Sequence, residues 1–270
     1  MGPGPADESL IPATRLLEDD EAIAQLVAAR ARGLELKPGR AAAVLWMQSY
    51  AYRVAGPLLA AWVLHQRVPD LSVENIRLRF DAEGRPVEVR LVRPRVVVES
   101  GDRVDDAEFL ATPDLTAEAI RLLLDGHLMP ILKRLSGRYR LGALSGQGAI
   151  ASQLGMALTF IDANAATPWI EVARVAVGLF ERSRDRIGGE GKTGDMIVTR
   201  LGDREGVTWR RRTCCLVHQA PQREKCGGCP LRSEEERLDV WARRLASRPA
   251  SSFPALAHSP DHPSETGAKT

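Results

Sequence analysis

An α+β fold dominated by a helical bundle is what this sequence predicts, on three observations. Apolar residues recur at steps of three and four through most of 20–65 and 116–180. Two stretches, 76–91 and 196–211, alternate with a period of two and read as hairpins. All four cysteines follow the second hairpin, at Cys214, Cys215, Cys226 and Cys229. The expected organisation is a flexible lead-in over 1–18, a helical domain with an inserted small antiparallel sheet over 19–195, a hairpin, cysteine segment and helix over 196–246, and a disordered tail over 247–270.

Each element has a local reason. The Gly, Pro and acidic content of Met1 to Pro12 predicts a mobile start. Asp20 suits a helix cap, Ile23, Leu26 and Val27 give that helix its apolar face, and Gly33 closes it. From Arg40 to Ala55 the chain is apolar almost all round, and Pro57 suits the first turn of a second helix reaching His65. Trp46, Tyr50, Tyr52 and Trp62 then read as core packing. Ile76, Leu78 and Phe80 share one face of a strand, residues 81–86 turn, and Val87, Val89 and Leu91 answer on the return. Val96 to Val98 adds a third strand before an acidic loop around Asp102 to Glu108, and Arg77, Arg79, Arg90 and Arg93 form a solvated basic face.

Helical spacing returns through Ile120, Leu124, Leu128, Ile131 and Leu135, with Gly126 and Pro130 predicting a kink and an end near Ser136. His127, next to this apolar face, reads as a satisfied core or boundary histidine. A loop over Gly142 to Gly148 precedes a helix marked by Ile150, Leu154, Leu158 and Ile161, and Thr167-Pro168 opens another through Trp169 to Phe180. Gly191-Lys192-Thr193 lacks the glycine a phosphate loop needs, since Arg186 stands five positions earlier, and is a connection. Met196 to Arg200 and Val207 to Arg211 form the second hairpin around 202–206. Ser233 with Glu236 is a capping box for a last helix faced by Leu238, Trp241 and Leu245.

Composition narrows the class. With 44% hydrophobic and 27% charged residues the chain is globular, and a formal net charge of +2 gives no general attraction to nucleic acid. No basic start followed by an apolar run marks a secretory signal. The apolar window from Ala41 to Leu64 is broken by Gln48, Arg53 and Gly56-Pro57, so no membrane span is expected and peripheral association stays open. The expected compartment is the cytoplasm, where clustered cysteines bind metal more often than they pair as disulfides.

The cysteines are spaced C-C-x10-C-x2-C. Four thiolates suit tetrahedral zinc or an iron–sulfur cluster. A zinc knuckle places two or more residues between its ligands, which the adjacent Cys214 and Cys215 do not provide; a two-iron cluster spreads its ligand positions more widely. Gly227 and Gly228 let the second pair turn its N–H groups toward sulfur. Arg210, Arg211, Arg212, Arg223, Lys225 and Arg232 surround the cysteines against the single acid Glu224, which suits an anionic centre. Arg211, Arg212, Arg223 and Lys225 are the candidates for tuning its potential or attracting an anionic chelate, and His218 for a local proton donor.

The combination R-R-x-C-C-L with C-x2-C-P-L ten residues on resembles the C-terminal motif of the FhuF-like ferric siderophore reductases, and the order of elements from Leu34 to Arg232, including GHLMPILKRLS, is similar to that family. The resemblance implies a 2Fe-2S cluster held by Cys214, Cys215, Cys226 and Cys229. It also implies an oxidoreductase that reduces a ferric siderophore by one electron and releases ferrous iron. No nicotinamide or flavin fingerprint is present, so a ferredoxin, flavoprotein or reduced flavin is the expected donor. Two other readings share the motif: a zinc-stabilised siderophore-binding module without redox activity, and a 2Fe-2S electron carrier.

Overall fold

The structure, a computed structural model, describes residues 9–105, 107–188, 191–201, 204–221 and 223–246. The expected disordered tail over 247–270 and the side chain of Leu245 lie outside the described residues. The fold is α+β and mainly helical, as the periodicities predict.

Short β1 (Ile11–Pro12) and α1 (Arg15–Glu18) precede α2 (Asp20–Gly33). The lead-in is therefore ordered from residue 9: Leu10, Ala13 and Leu16 are buried, and Ile11 pairs with Leu78. The cap of α2 is Asp19, one residue before the expected Asp20, its carboxylate accepting from the Glu21 and Ala22 N–H groups. The central element is α3 (Arg40–His65), one continuous helix where the Gly56-Pro57 pair predicts two. Pro57 gives no N–H to the Arg53 carbonyl, a loss the helix tolerates because its other faces bury Val54, Leu58, Leu59 and Trp62. Trp46, Tyr50 and Trp62 lie in the core, whereas Tyr52 faces out.

Two three-stranded sheets follow where one is expected. One joins β1 to β3 (Ile76–Phe80) and β4 (Pro86–Leu91); the other joins β2 (Arg67–Pro69) to β5 (Arg95–Glu99) and β6 (Glu108–Thr112). The third strand expected at Val96–Val98 thus exists but leaves the hairpin, pairing antiparallel with β2 and parallel with β6, which occupies part of the expected acidic loop. Asn75 explains the separation: its amide donates to the Asp70 and Arg93 carbonyls and accepts from Arg93 N–H, pinning the chain where it leaves one sheet for the other. The basic face is solvated, with Arg79 and Arg90 both on Glu88.

The kinked helix divides into α4 (Leu115–Ile120), a π-helical stretch over Arg121–Leu128 and α5 (Met129–Tyr139), three residues past the expected end. Then come α6 (Ala143–Asn164), α7 (Trp169–Arg182), α8 (Arg184–Ile187), the hairpin β7 (Gly194–Leu201) and β8 (Arg204–Arg211), and α9 (Glu234–Ala246). The expected loop at Gly142–Gly148 is already helix, and the hairpin strands run longer than expected, with Arg204 to Gly206 inside β8. Gly202 and Asp203 of the expected turn lie outside the described residues. On α9 the capping box is present and Trp241 is buried, but Leu238 is exposed.

His127, in the π-helical stretch, is fully buried among apolar side chains. One ring nitrogen, Nδ1, lies 2.6 Å from the Leu71 carbonyl and therefore donates; Nε2 accepts from the Tyr50 hydroxyl at 2.6 Å. Burial holds the imidazole down to about 4 against the partial opposition of the Leu71 carbonyl, and raises the Tyr50 hydroxyl. Because the folded value is depressed, the unfolded chain binds the proton first as pH falls below about 6.5. Stability contributed here is complete above that pH and declines, by about 3 kcal/mol, down to about pH 4. His127→Gln is expected to remove this slope in urea titrations between pH 7 and 4, and Tyr50→Phe to cost about 1–3 kcal/mol at pH 7.

Candidate metal centre

The cysteine segment is positioned by one face of α6. Gly148, Ser152, Gly155, Thr159 and Asp162 follow one another by four, three, four and three, a single stripe along the helix. Strand β8 lies on it with alternate residues inward. Asp162 accepts from Val207 N–H and the Thr159 hydroxyl from Trp209 N–H, each at 3.0 Å, so strand donors are satisfied by helix side chains. The Trp209 ring stacks on Phe180 and covers Gly155, where a Cβ would overlap it. One step on, Arg211 Nε donates to Ser152 Oγ at 2.8 Å. Thr213 closes the run over Gly148, whose missing Cβ leaves the room its side chain occupies.

The chain that emerges is Cys214-Cys215. Leu216 takes a left-handed conformation, φ 64°, which reverses the backbone and points its N–H at Cys214 Sγ, 3.4 Å away. A short 3-10 turn over Val217–Gln219 follows, and Cys215, Ala220, Val217 and Cys226 pack on Leu34 and Leu45, at the end of α2 and the first turns of α3. The return loop is clamped by Arg232, whose guanidinium donates to the Lys225 and Cys226 carbonyls, and Cys229 N–H closes a turn onto the Cys226 carbonyl at 3.0 Å. Gly227 fits beneath Val240 of α9.

All four cysteines are free thiols; Cys215 and Cys229 are buried, while Cys214 and Cys226 are half-buried. Cys215 and Cys226 bring their sulfurs to 3.8 Å. Two thiolates about 2.3 Å from one tetrahedral metal stand about 3.8 Å apart, so this pair already has the spacing of co-ligands. The hydrogen bond from Cys226 leads in bringing Cys215 down to about 5, with Val217 N–H and Arg211 assisting, and Cys226 is correspondingly raised. Burial raises Cys214 against the Leu216 N–H. Among the described residues, no three His, Cys, Asp or Glu side chains converge as a ready-made single-ion site.

The cations expected to act together are separated. Arg211 is 7% exposed, with Nη1 3.9 Å from Cys226 Sγ and Nη2 buried without a partner. Arg210 and Arg212, one position either side, point the other way onto the buried carboxylate of Asp195, with Arg212 Nε at 2.8 Å. Those hydrogen bonds keep Asp195 below the usual carboxylate range despite its burial. Lys225 Nζ donates to the Leu231 carbonyl, and Arg223 is exposed. His218 Nδ1 lies 3.7 Å from Cys214 Sγ on the outer side. A buried guanidinium with an unpartnered donor beside the thiols, and no carboxylate paired with it among the described residues, fits a multiply anionic sulfur-rich group.

Ser152, Gly148 and Gly155 are the residues sequence reasoning missed; their small-residue spacing on α6 was the available signal. Gly155→Ala and Gly148→Ala are each expected to destabilise the fold by about 1–3 kcal/mol and to speed alkylation of Cys215 in thermal-melt and thiol-labelling measurements. Gly137→Ala, where a Cβ meets nothing, changes neither.

Two family models match the chain at these places. The one described as "Ferric iron reductase FhuF-like transporter" covers residues 44–143, and the one described as "FhuF 2Fe-2S C-terminal domain" covers 211–231, from Arg211 through all four cysteines. No curated protein matches. The cofactor is a 2Fe-2S cluster. In both the helical body and the cysteine segment that rests on it, the chain is similar to the FhuF-like ferric siderophore reductase family.

Proposed function

We propose that the chain is an oxidoreductase that passes one electron to a ferric siderophore and so releases ferrous iron in the cytoplasm. The observation that carries this reading is Arg211, a buried cation held by Ser152 with its free donor beside the thiols. Cys214, Cys215, Cys226 and Cys229 would hold the 2Fe-2S cluster, which supplies a one-electron carrier when bound. The chelate's hard anionic oxygens bind ferric iron far more tightly than ferrous iron, so a single electron from a ferredoxin, flavoprotein or reduced flavin suffices for release. No acid or base of the chain is required for the transfer itself.

The chain's own residues set the conditions. Arg211 contributes a fixed positive charge where water is excluded, favouring the more reduced, more negative state. Arg212 is neutralised by Asp195 and contributes little. Cys214, half-buried with the exposed His218 beside it, marks an edge through which an electron reaches the chelate.

Anaerobically purified protein is expected to be red-brown, with equal iron and sulfide, a rhombic paramagnetic signal after reduction, and ferrous iron trapped on mixing with a ferric siderophore. Colourless protein with stoichiometric zinc would sink this reading, and a cluster that reduces no chelate would leave an electron carrier. Arg211→Met is expected to lower the reduction potential in protein-film voltammetry, with partial recovery in Arg211→Lys; Arg212→Ala leaves it near that of the unaltered chain.

A further inference from the structure

A groove on the far half of the α3–α6 pair has no part in the cysteine site. The two helices run in the same direction, with Arg40 donating to Ser145 Oγ at their first turns, and their later turns part around a cavity of about 430 Å³. That volume is in the range of small-molecule sites. Tyr52 to Leu64 spans about 18 Å of helix, an elongated space. Its floor is made of small residues, Gly56, Ala60, Ala157 and Ala165, and its sides of Leu64 and Phe160, the latter 57% exposed.

Two features say what the groove takes. The first is Gly56: a Cβ there would meet nothing, so no packing neighbour demands glycine, although glycine within a helix costs about 1 kcal/mol relative to alanine. What its absence of side chain does provide is depth. The second is Arg53, whose Nε donates to the Pro86 carbonyl at 3.1 Å, which anchors the guanidinium. No carboxylate pairs with it among the described residues, and none of the groove-lining residues is acidic. Of the two other polar side chains in the lining, the Asn164 amide donates to the Phe160 carbonyl and is occupied within the helix, and Tyr52 brings a neutral hydroxyl that does not oppose an anion.

From this we propose that the groove binds a long-chain carboxylate, its alkyl chain lying between α3 and α6 over Gly56 and its head on Arg53. The apolar length takes the chain, the fixed cation complements the anionic head, and the exposed Phe160 gains cover. The site is independent of cluster chemistry, and protein with or without iron serves for the test.

Oleate titrated into the full chain by calorimetry is expected to bind one to one. Gly56→Leu, which fills open space and raises helix propensity, abolishes binding while its thermal melt is retained. Phe160→Ser, at an exposed position, provides a second variant and weakens binding. Arg53→Gln weakens oleate by about tenfold and leaves the neutral oleyl alcohol unchanged. Oleate binding that is absent, or the same in all three variants, overturns the proposal. So does binding confined to anionic phospholipid vesicles, which would make the patch a membrane contact, or concentration-dependent dimerisation lost in Gly56→Leu without oleate binding.

Discussion

The site depends on how strand β8 lies along one stripe of helix α6. A strand placed on a helix leaves backbone N–H groups that a sheet neighbour would otherwise satisfy, and burying them unpaired would cost about 1–3 kcal/mol each. Here Asp162 and Thr159 take the Val207 and Trp209 N–H groups, and glycines at 155 and 148 admit Trp209 and Thr213. Polar and small positions thus alternate along one line, each matched to a particular strand residue. The register so fixed carries Arg211 to Ser152 and delivers Cys214 and Cys215 at the end of the helix face, over Leu34 and Leu45.

The same two-residue period sorts the arginines. Arg210, Arg211 and Arg212 are consecutive and chemically identical, yet they occupy two electrical environments because the strand turns alternate side chains to opposite faces. The outer two share Asp195, while the middle one is buried with no carboxylate partner among the described residues. A cation near water is screened within about 8–10 Å at ordinary ionic strength, whereas a buried one is screened far less. Local charge counted along the sequence therefore overstates Arg212, Arg223 and Lys225 and understates Arg211. Ser152 matters for the same reason: among the described residues, its hydroxyl is the side-chain oxygen that holds that guanidinium in place.

How much of this was legible follows from which interactions are local. The helices, both hairpins, the capping box at Ser233 and the buried reading of His127 rest on short-range periodicity and capping, and all are present in the fold. The four cysteines were visible as a set because their spacing is itself local. What was not legible is non-local. Gly146 and Gly148 read as loop, since glycine disfavours helix, until Leu132 and Thr213 are seen lying where their side chains would be. Pro57 reads as a helix start, since the packing that keeps α3 continuous comes from elements distant in sequence. Val96 to Val98 reads as a strand, but nothing in its own residues says that its neighbours are β2 and β6.

Helix α3 links the two ends of the molecule in a way that explains its composition. Its first turns must be apolar to support the cysteine loop through Leu45, and its middle must be apolar to pack Trp46, Tyr50 and Trp62 into the core. Past Tyr52 one side is released from both duties, and there it carries Arg53, Gly56, Pro57 and Ala60, residues that neither fill a core nor favour a helix as a group. A helix under no packing demand on one side would be expected to present long polar residues to water. Its small residues instead lie across from Ala157 of α6 and Ala165 at its C-terminal cap, so both helices withhold side chains from the same space. Matched omission on two elements distant in sequence points to a space the fold keeps open, and it leaves the cysteine end free to be shaped by β8 alone.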